Sequence, residues 1–354
     1  MSHTSTIMEN TDISAPPEPQ GRKADLSDSF GRKISYVRLS VTDRCDLRCT
    51  YCMAEDMVFL PKKEVLTLEE MITLSDAFIE RGVDKIRLTG GEPLVRKGIE
   101  TLIEALGQRV KAGLLKELTL TTNGTQLARF APLLADAGVR RVNVSLDTLD
   151  ADTFRKVTRL GDIDKVLDGI KAAQDTGLRV KINTVALNGV NDQHIPAMIR
   201  WVIAEGLDIS LIETMPLGNT GSDRVPTFLP LTAYLDGLKR EFDLIPSLHK
   251  TGGPSRYYDI GTSGSRLGVI TPLTNNFCAT CNRVRVTATG RIYMCLGQDD
   301  HIDLRAALRG DNREADLEAA LNRAMQRKPK AHDFAVSDGE MTGTVGRHMS
   351  MTGG

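Results

Sequence analysis

The sequence lacks several features that would place it in a common class of protein. It has no run of about 18 apolar residues, so we expect no membrane-spanning helix. Its formal net charge of −1, with no long basic run, argues against general binding to nucleic acids or membrane surfaces. It has no G-x-x-x-x-G-K-[ST] loop to hold nucleotide phosphates. The start of the chain lacks the basic and apolar segments of a secretory signal, so we expect a cytoplasmic protein.

The six cysteines stand in two triplets that are more than two hundred residues apart. The first triplet has C-x3-C-x2-C spacing and consists of Cys45, Cys49 and Cys52. The second has C-x2-C-x13-C spacing and consists of Cys278, Cys281 and Cys295. Three is an odd number for disulfides and one short of a closed zinc site. Three thiolates on a cubane iron–sulfur cluster leave one iron open to a small molecule. The pattern therefore predicts two open clusters.

Zinc is the alternative occupant of each triplet. No histidine lies between His3 and His194, so zinc at the first triplet would need a fourth ligand from far along the chain. The second spacing alone fits zinc as well as iron–sulfur. A non-catalytic protein with two zinc sites therefore stays open at this point, and the colour and iron content of the purified protein would separate the two hypotheses.

The chain from residue 34 to about 245 alternates β-rich runs with helical stretches. The predicted strands are 34–41, 84–88, 116–121, 140–145, 178–184 and 207–213. The predicted helices are near 67–81, 98–112, 126–137, 163–175, 193–205 and 231–241. The first helix begins with a capping box, Thr67-x-x-Glu70, and four of the helices are followed by glycine. Six successive βα units predict an α/β fold with a parallel sheet, either open or rolled into a barrel.

One face of nearly every predicted strand is polar, whereas a closed eight-stranded barrel is filled with Val, Ile and Leu. Arg38, Lys85, Arg87, Asn143 and Lys181 all alternate with apolar residues and so share one face of the sheet. If the apolar face packs on the helices, the polar face lines an interior that suits water or an anionic ligand. A solvated sheet face is the alternative, although both faces of parallel sheets are usually covered.

The flanking regions differ from the βα region in composition and pattern. Residues 1–30 have little to bury and are predicted to be disordered. Residues 31–245 form the βα domain. Residues 246–340 form a predicted α+β domain that carries the second triplet, with strands 256–261, 266–271, 283–288 and 291–295 and helices 302–309 and 314–326. Residues 341–354 form a C-terminal tail.

The first triplet and its surroundings resemble the signature of radical S-adenosylmethionine enzymes. The residues that carry the resemblance are Tyr51 before the third cysteine, Gly90-Gly91-Glu92-Pro93 after strand 84–88, Ser145, and Ile212-Glu213-Thr214-Met215. The resemblance implies a partial (βα)6 barrel of the TIM type and a [4Fe–4S] cluster on the first triplet. It also implies that Tyr51, Gly91, Ser145 and Met215 contact S-adenosylmethionine. Gly90 and Gly91 would then let the backbone approach this ligand, and Glu92 would accept from its ammonium group.

Further matches resemble one branch of these enzymes, the GTP 3′,8-cyclase family. They are Cys281-Asn282-Arg283-Val284-Arg285, R-L-S-V before the first triplet, K-I-R-L-T before Gly90, and the terminal Gly353-Gly354. The resemblance runs from about residue 31 to the C-terminus. It implies a lyase that converts GTP to 3′,8-cyclo-7,8-dihydro-GTP in the first step of molybdenum-cofactor biosynthesis. A radical enzyme with an auxiliary cluster that acts on a peptide is the nearest alternative.

This second resemblance also implies a set of ligands and partners. A second [4Fe–4S] cluster would bind Cys278, Cys281 and Cys295. The implied GTP contacts are Arg38, Arg87, Thr121, Lys181, Arg283, Val284 and Arg285. The Gly-Gly tail would reach into the active site. The chain departs from the pattern at Ser210, where some members carry a basic residue. The expected partners are a second copy of the chain, a flavodoxin- or ferredoxin-type reductant, and cyclic pyranopterin monophosphate synthase as the recipient of the product.

Overall fold

The computed structural model describes residues 23–218, 220, 225–337, 340–343 and 345–353. Most of the segment predicted to be disordered, residues 1–22, lies outside this part of the chain. Residues 23–30 differ from that prediction, because they pack against the body of the protein. Leu26 is fully buried, and its amide donates to the carbonyl of Arg81 at 3.0 Å. The apolar side chain at position 26 therefore anchors this segment.

One large sheet organises the described part of the chain. Its strands are β1 Tyr36–Ser40, β2 Lys85–Thr89, β3 Glu117–Thr122, β4 Arg141–Ser145, β5 Arg179–Ala186, β6 Asp208–Glu213, β7 Leu244–Pro246, β8 Arg256–Ile260, β9 Arg266–Ile270, β10 Arg283–Val286, β11 Arg291–Tyr293 and β12 His301–Asp303. Their order across the sheet is β12-β11-β10-β1-β2-β3-β4-β5-β6-β9-β8-β7. A separate antiparallel pair is formed by β13 Ala335–Ser337 and β14 Glu340–Thr342.

The centre of this sheet is parallel, as the βα pattern predicts. Strands β1 to β6 pair with their neighbours in sequence order. Two further parallel strands come from the C-terminal region, because β10 pairs with β1 and β9 pairs with β6. Among the described residues, β12 and β7 at the two ends of the order do not pair with each other. The barrel is therefore incomplete, and the C-terminal region extends its sheet at both edges.

The helices cover the outside of the sheet, except for the short last one, which lies in the C-terminal tail. They are α1 Leu68–Glu80, α2 Ile99–Lys111, α3 Leu127–Asp136, α4 Ala151–Thr158, α5 Ile163–Asp175, α6 Ile195–Ala204, α7 Leu231–Glu241, α8 Leu304–Arg309, α9 Arg313–Arg327 and α10 Met349–Thr352. The predicted capping box is confirmed, since Thr67 accepts from the amide of Glu70 and Glu70 accepts from the amide of Thr67. Within the described ranges, no helix is long and apolar enough to cross a membrane.

The polar face of the sheet lies inside the protein. Arg38, Arg87 and Lys181 are only 9%, 8% and 5% exposed, although they stand on the face opposite the apolar core. Val37, Leu39 and their counterparts on the next strands pack against the helices in one continuous core. The alternative of a solvated sheet face is therefore wrong, and the barrel encloses a polar interior.

Candidate active site

The first cavity lies at the carboxyl ends of the parallel strands. It is lined by all three cysteines of the first triplet, Cys45, Cys49 and Cys52, and by Tyr51, Gly91, Ser145 and Met215. The structure thus gathers the three predicted cluster ligands and four of the residues predicted to contact S-adenosylmethionine. The buried hydroxyls of Thr89 and Thr214, which also line this cavity, have no hydrogen-bond partner among the described residues. Such orphaned polar atoms fit a cavity that takes a polar ligand.

The cysteine loop is held by a helix that the sequence analysis missed. The amides of Arg48 and Thr50 donate to the last carbonyls of α4, on Thr158 at 3.0 Å and Val157 at 2.9 Å. Arg159, the residue after α4, has a left-handed φ of 61° and donates from Nη1 to the carbonyl of Arg48 at 3.0 Å. Helix α4 therefore fixes the backbone that presents the first triplet.

The thiols of the first triplet lie in a buried environment. Burial raises the pKa of both Cys45 and Cys49, and the neighbouring acidic groups add to this effect. Two N–H groups point to the Cys45 sulfur, from the Leu47 amide at 3.4 Å and from Asn123 Nδ2 at 3.8 Å. Because a buried thiolate needs a cationic partner, this donor set suits iron, whose charge deprotonates a thiol that binds to it.

The two glycines of the Gly90-Gly91 turn have a packing role that was not predicted. A Cβ atom at Gly90 would lie 2.5 Å from the carbonyl oxygen of Thr42, and one at Gly91 would lie 2.6 Å from the carbonyl carbon of Arg44. The absence of side chains thus lets this turn pack against the backbone that leads into Cys45. Gly91 also lines the cavity, but a side chain at this position would displace the cysteine loop.

Glu92 does not face the cavity, which contradicts the expectation that it accepts from the ligand's ammonium group. Its side chain is fully buried and accepts from Thr122 Oγ1 at 2.8 Å and from the amide of Asn123 at 2.6 Å. Burial raises its pKa to about 7 despite these donors. Glu92 therefore stabilises the end of β3. Asn123, the residue after this strand, contacts the sulfur of Cys45.

The second cavity adjoins the first and contains the second triplet. It is lined by Cys278, Cys281 and Cys295 and by the cations Arg38, Arg87, Lys181, Arg283 and Arg285. Asn183, Ile212 and Met215 line both cavities, so the two are direct neighbours, with a cysteine triplet in each. Residues that are more than two hundred positions apart in the sequence thus share one site.

The cations of the second cavity are poorly satisfied by the protein. Arg38 Nε and Nη2 and Arg87 Nε are buried without a hydrogen-bond partner in the described part of the chain. Burial lowers the pKa of Arg38, and the like charge of Arg285 lowers it further. No carboxylate among the described residues forms an ion pair with Arg38, Arg87 or Lys181. Since buried charge is costly without a partner, these groups fit a polyanionic ligand with several phosphate oxygens.

Two predicted GTP contacts are placed differently from the others. The side chain of Val284 is 1% exposed and packs in the apolar core, so it cannot line the cavity. Thr121 lines the first cavity and accepts from Arg87 Nη1 at 3.3 Å, so it stands at the boundary of the two. Ser210 is buried, and its hydroxyl lies 3.2 Å from that of Ser255. Ser210 therefore contacts a neighbouring serine, at the position where some family members carry a basic residue.

Two tyrosines that the sequence pattern was not used to predict contribute to the second cavity, Tyr36 in its wall and Tyr257 as the partner of a lining cation. Tyr257 accepts from Lys181 Nζ at 2.8 Å, so it orients one of the cations. Tyr36 stands on the polar face of β1, two residues before Arg38, and this alternation was the signal that could have found it. Burial alone would raise the pKa of Tyr36, but the charges of Arg87 and Arg38 lower it to about 8. The cavity therefore has a positive electrostatic potential.

The C-terminal tail enters the site. The carbonyl oxygen of Gly353 accepts from Arg285 Nη1 at 2.9 Å, and Met349 and Ser350 line the first cavity. A Cβ atom at Gly353 would collide with the side chain of Thr89, and its φ is 73°, so only glycine fits there without strain. Gly354 lies outside the described residues.

The thiols of the second triplet have a more positive environment than those of the first. Burial alone would raise the pKa of Cys281, but the charges of Arg283 and Lys328 lower it to about 7. Among the described residues, no three His, Cys, Asp or Glu side chains come close enough to hold a single metal ion. The thiolates on a cubane cluster bind different irons and therefore stand farther apart than the ligands of one ion. The donor set of three thiols fits such a cluster with one open iron.

Comparisons with known proteins agree with this site. The Radical SAM superfamily matches residues 39–202, and the Molybdenum Cofactor Synthesis C family matches residues 207–334. A GTP 3′,8-cyclase of Erythrobacter litoralis is 59% identical over 331 residues, which cover 94% of this chain and 99% of the relative. A GTP 3′,8-cyclase of Agrobacterium fabrum is 57% identical over 331 residues, covering 94% of this chain and 95% of the relative.

Solved structures share the fold at low sequence identity. SuiB from Streptococcus suis, bound to S-adenosylmethionine, has a TM-score of 0.60 and 16% identity, covering 84% of this chain and 69% of SuiB. The structure of anSMEcpe with bound AdoMet has a TM-score of 0.54 and 14% identity, covering 84% of this chain and 92% of that protein. At such identities the likeness concerns the fold alone, and it supports the incomplete barrel.

Proposed function

The chain belongs to the GTP 3′,8-cyclase family, and from this membership we propose that it converts GTP to (8S)-3′,8-cyclo-7,8-dihydroguanosine 5′-triphosphate. This reaction is the first step of molybdenum-cofactor biosynthesis. The observation that carries the proposal is the pair of adjacent cavities, each with a cysteine triplet, and the buried arginine N–H groups without acceptors in the wall of the second.

The first triplet would hold a [4Fe–4S] cluster whose open iron takes S-adenosylmethionine. When bound, this pair would supply a 5′-deoxyadenosyl radical to take hydrogen from C3′ of the ribose; C3′ would then bond to C8 of guanine, and one electron and one proton delivered to the base would complete the 7,8-dihydro product. The protein positions the cofactor through Tyr51, Gly91, Ser145 and Met215, which line the same cavity. Tyr51 is itself held by Asp147, since its hydroxyl donates to Asp147 Oδ2 at 2.7 Å. The site thereby keeps the cofactor's reactive end fixed and away from water.

The cations of the second cavity bind the triphosphate. Arg38 and Arg87 have buried N–H groups without acceptors, and phosphate oxygens would satisfy them with charge-assisted hydrogen bonds. Lys181 is oriented by Tyr257 and adds a third positive charge. Ring closure within one molecule depends on holding its ribose and base in the reacting geometry. Anchoring the triphosphate contributes to that geometry.

The second triplet would hold a second [4Fe–4S] cluster, with its open iron available to the guanine base. Cys278, Cys281 and Cys295 line the cavity together with Arg283 and Arg285. Three thiols leave one iron open, and a ring nitrogen or oxygen of guanine is a suitable ligand for it. The C-terminal tail also contributes to this part of the site, since Gly353 contacts Arg285 and closes the cavity next to the substrate.

The remaining partners follow from the family and from the chemistry of the site. A flavodoxin- or ferredoxin-type protein supplies the two electrons, one for cleavage of S-adenosylmethionine and one for reduction of the cyclised base, and the product passes to cyclic pyranopterin monophosphate synthase. The chain works as a homodimer in the cytoplasm, where the reducing conditions suit two sets of clustered thiols.

Deuterium transfer tests the proposed reaction. The reconstituted protein would be given S-adenosylmethionine, a reductant and GTP that carries deuterium at C3′, with GTP deuterated at C2′ as the matched control. We expect deuterium in 5′-deoxyadenosine only from the C3′-labelled substrate, measured by mass spectrometry. Unlabelled 5′-deoxyadenosine from both substrates, or label from C2′, would contradict the proposal.

A further inference from the structure

A buried lysine lies directly behind the second triplet. Lys328 follows the last residue of α9 and is 3% exposed. Its Nζ atom lies 2.6 Å from the carbonyl oxygen of Met294, 2.9 Å from that of Arg283, and 3.8 Å from the sulfur of Cys281. The proposed reaction does not use this group, so its burial calls for another explanation.

The contacts of Lys328 match an ammonium group. All three neighbours of Nζ are hydrogen-bond acceptors, and an ammonium group has three donors and no acceptor. A neutral amine would turn its lone pair toward one of them. In the described part of the chain Lys328 forms no ion pair with a carboxylate, so the Cys281 sulfur is the anionic partner that its contacts offer. A buried ammonium requires such a partner, because burying an unpaired charge is costly.

The same three contacts join the two arms of the second triplet. Arg283 follows Cys281 by two residues, and Met294 directly precedes Cys295. One ammonium group therefore ties the arm with C-x2-C spacing to the distant third cysteine.

Lys328 is itself clamped by the N-terminal segment. Arg32 donates from Nη2 to the carbonyl of Pro329 at 2.5 Å and from Nη1 to the carbonyl of Cys278 at 2.8 Å. Arg32 is fixed in turn by Asp28, which accepts from Nε at 2.6 Å. The residue after Lys328 and the first cysteine of the triplet are thus held by one guanidinium group. Lys328 cannot move away from the triplet without breaking these bonds.

We propose that Lys328 is a positioning residue for the second iron–sulfur cluster, which joins its two cysteine arms and raises its reduction potential through a charged N–H···S contact to Cys281. The inference rests on the second cluster of the proposed function. Reduction adds negative charge to a cluster, and a fixed positive charge with a hydrogen bond to a ligand sulfur stabilises that charge. In a buried site this interaction is weakly screened by salt.

The test measures the second cluster alone. In the full-length chain, Cys45, Cys49 and Cys52 are replaced by serine, so that the iron–sulfur signal comes from the second triplet. Its midpoint potential is then measured by redox titration with electron paramagnetic resonance. We expect Lys328→Met to lower the potential and Lys328→Arg to restore much of it. Lys330→Met is the matched control, because it removes an exposed lysine charge two residues away, and it should leave the potential unchanged.

Each other outcome also decides the matter. If Lys328→Met loses the second cluster while the protein stays folded and Lys328→Arg keeps it, the joining of the arms is supported. An unchanged potential in Lys328→Met with full iron content would overturn the proposal, as would a loss of folding in both Lys328 variants. If the parent protein itself binds no iron and sulfide at the second triplet, the proposed function fails there, before any change at Lys328.

Discussion

Replacing Gly91 by alanine tests whether this glycine serves the ligand or the protein. A Cβ atom there would lie 2.6 Å from the carbonyl carbon of Arg44 and 2.7 Å from the carbonyl oxygen of Asp43. These are backbone atoms, so the loop before Cys45 must shift to make room. Overpacking of this kind typically costs about 1–3 kcal/mol. We therefore expect Gly91→Ala to lower the free energy of unfolding by roughly 2 kcal/mol even without iron or S-adenosylmethionine.

The assay is denaturant unfolding of the iron-free protein, followed by iron analysis after reconstitution. Gly237→Ala is the control, because Gly237 lies inside α7 and a Cβ atom there meets nothing closer than 3.9 Å. That substitution should raise the free energy of unfolding by about 0.5–1 kcal/mol, since alanine favours a helix. If Gly91→Ala leaves the iron-free protein as stable as the parent and weakens only S-adenosylmethionine binding, the packing explanation is refuted.

Three further predictions concern the two cavities and the tail. Cys49→Ser should abolish cleavage of S-adenosylmethionine and remove the iron of the first cluster only, as iron and sulfide analysis would show; normal cleavage would rule out the first site. Arg38→Met should stabilise the ligand-free protein by about 1 kcal/mol, because it removes a buried cation without a partner, yet weaken GTP binding about tenfold. Calorimetry measures both effects, and equal affinity for GTP would refute the role of Arg38. Removal of Gly353 and Gly354 should stop cyclisation while both clusters remain, since Arg285 loses its contact to the tail; retained product formation would contradict this.

The strands and helices of the barrel could be predicted because their signals are local. Nearly every strand alternates polar and apolar residues. The structure places the apolar residues against the helices and the polar residues toward the interior of the barrel. Helix α4 was missed for a local reason as well. It is followed by Arg159, which has a positive φ of the kind that usually marks a glycine, so the expected stop signal is absent.

What the sequence did not reveal depends on contacts between distant segments. Nothing within β9 or β10 indicates that they pair with β6 and β1 as parallel strands. The packing role of Gly91 was not predicted, because the atoms that it meets belong to a loop about fifty residues earlier. Lys328 was overlooked because a lysine after a helix is ordinary in a sequence, and only the fold brings it to Cys281.

An anaerobic turnover assay tests the central claim most directly. It contains the reconstituted protein, S-adenosylmethionine, dithionite and GTP, with ATP as the control nucleotide, and is read by chromatography and mass spectrometry. We expect 5′-deoxyadenosine together with a product isomeric with GTP, and no such product from ATP. If 5′-deoxyadenosine forms while GTP stays unchanged, the substrate assignment is contradicted; if S-adenosylmethionine is not cleaved although iron and sulfide are bound, the radical chemistry is.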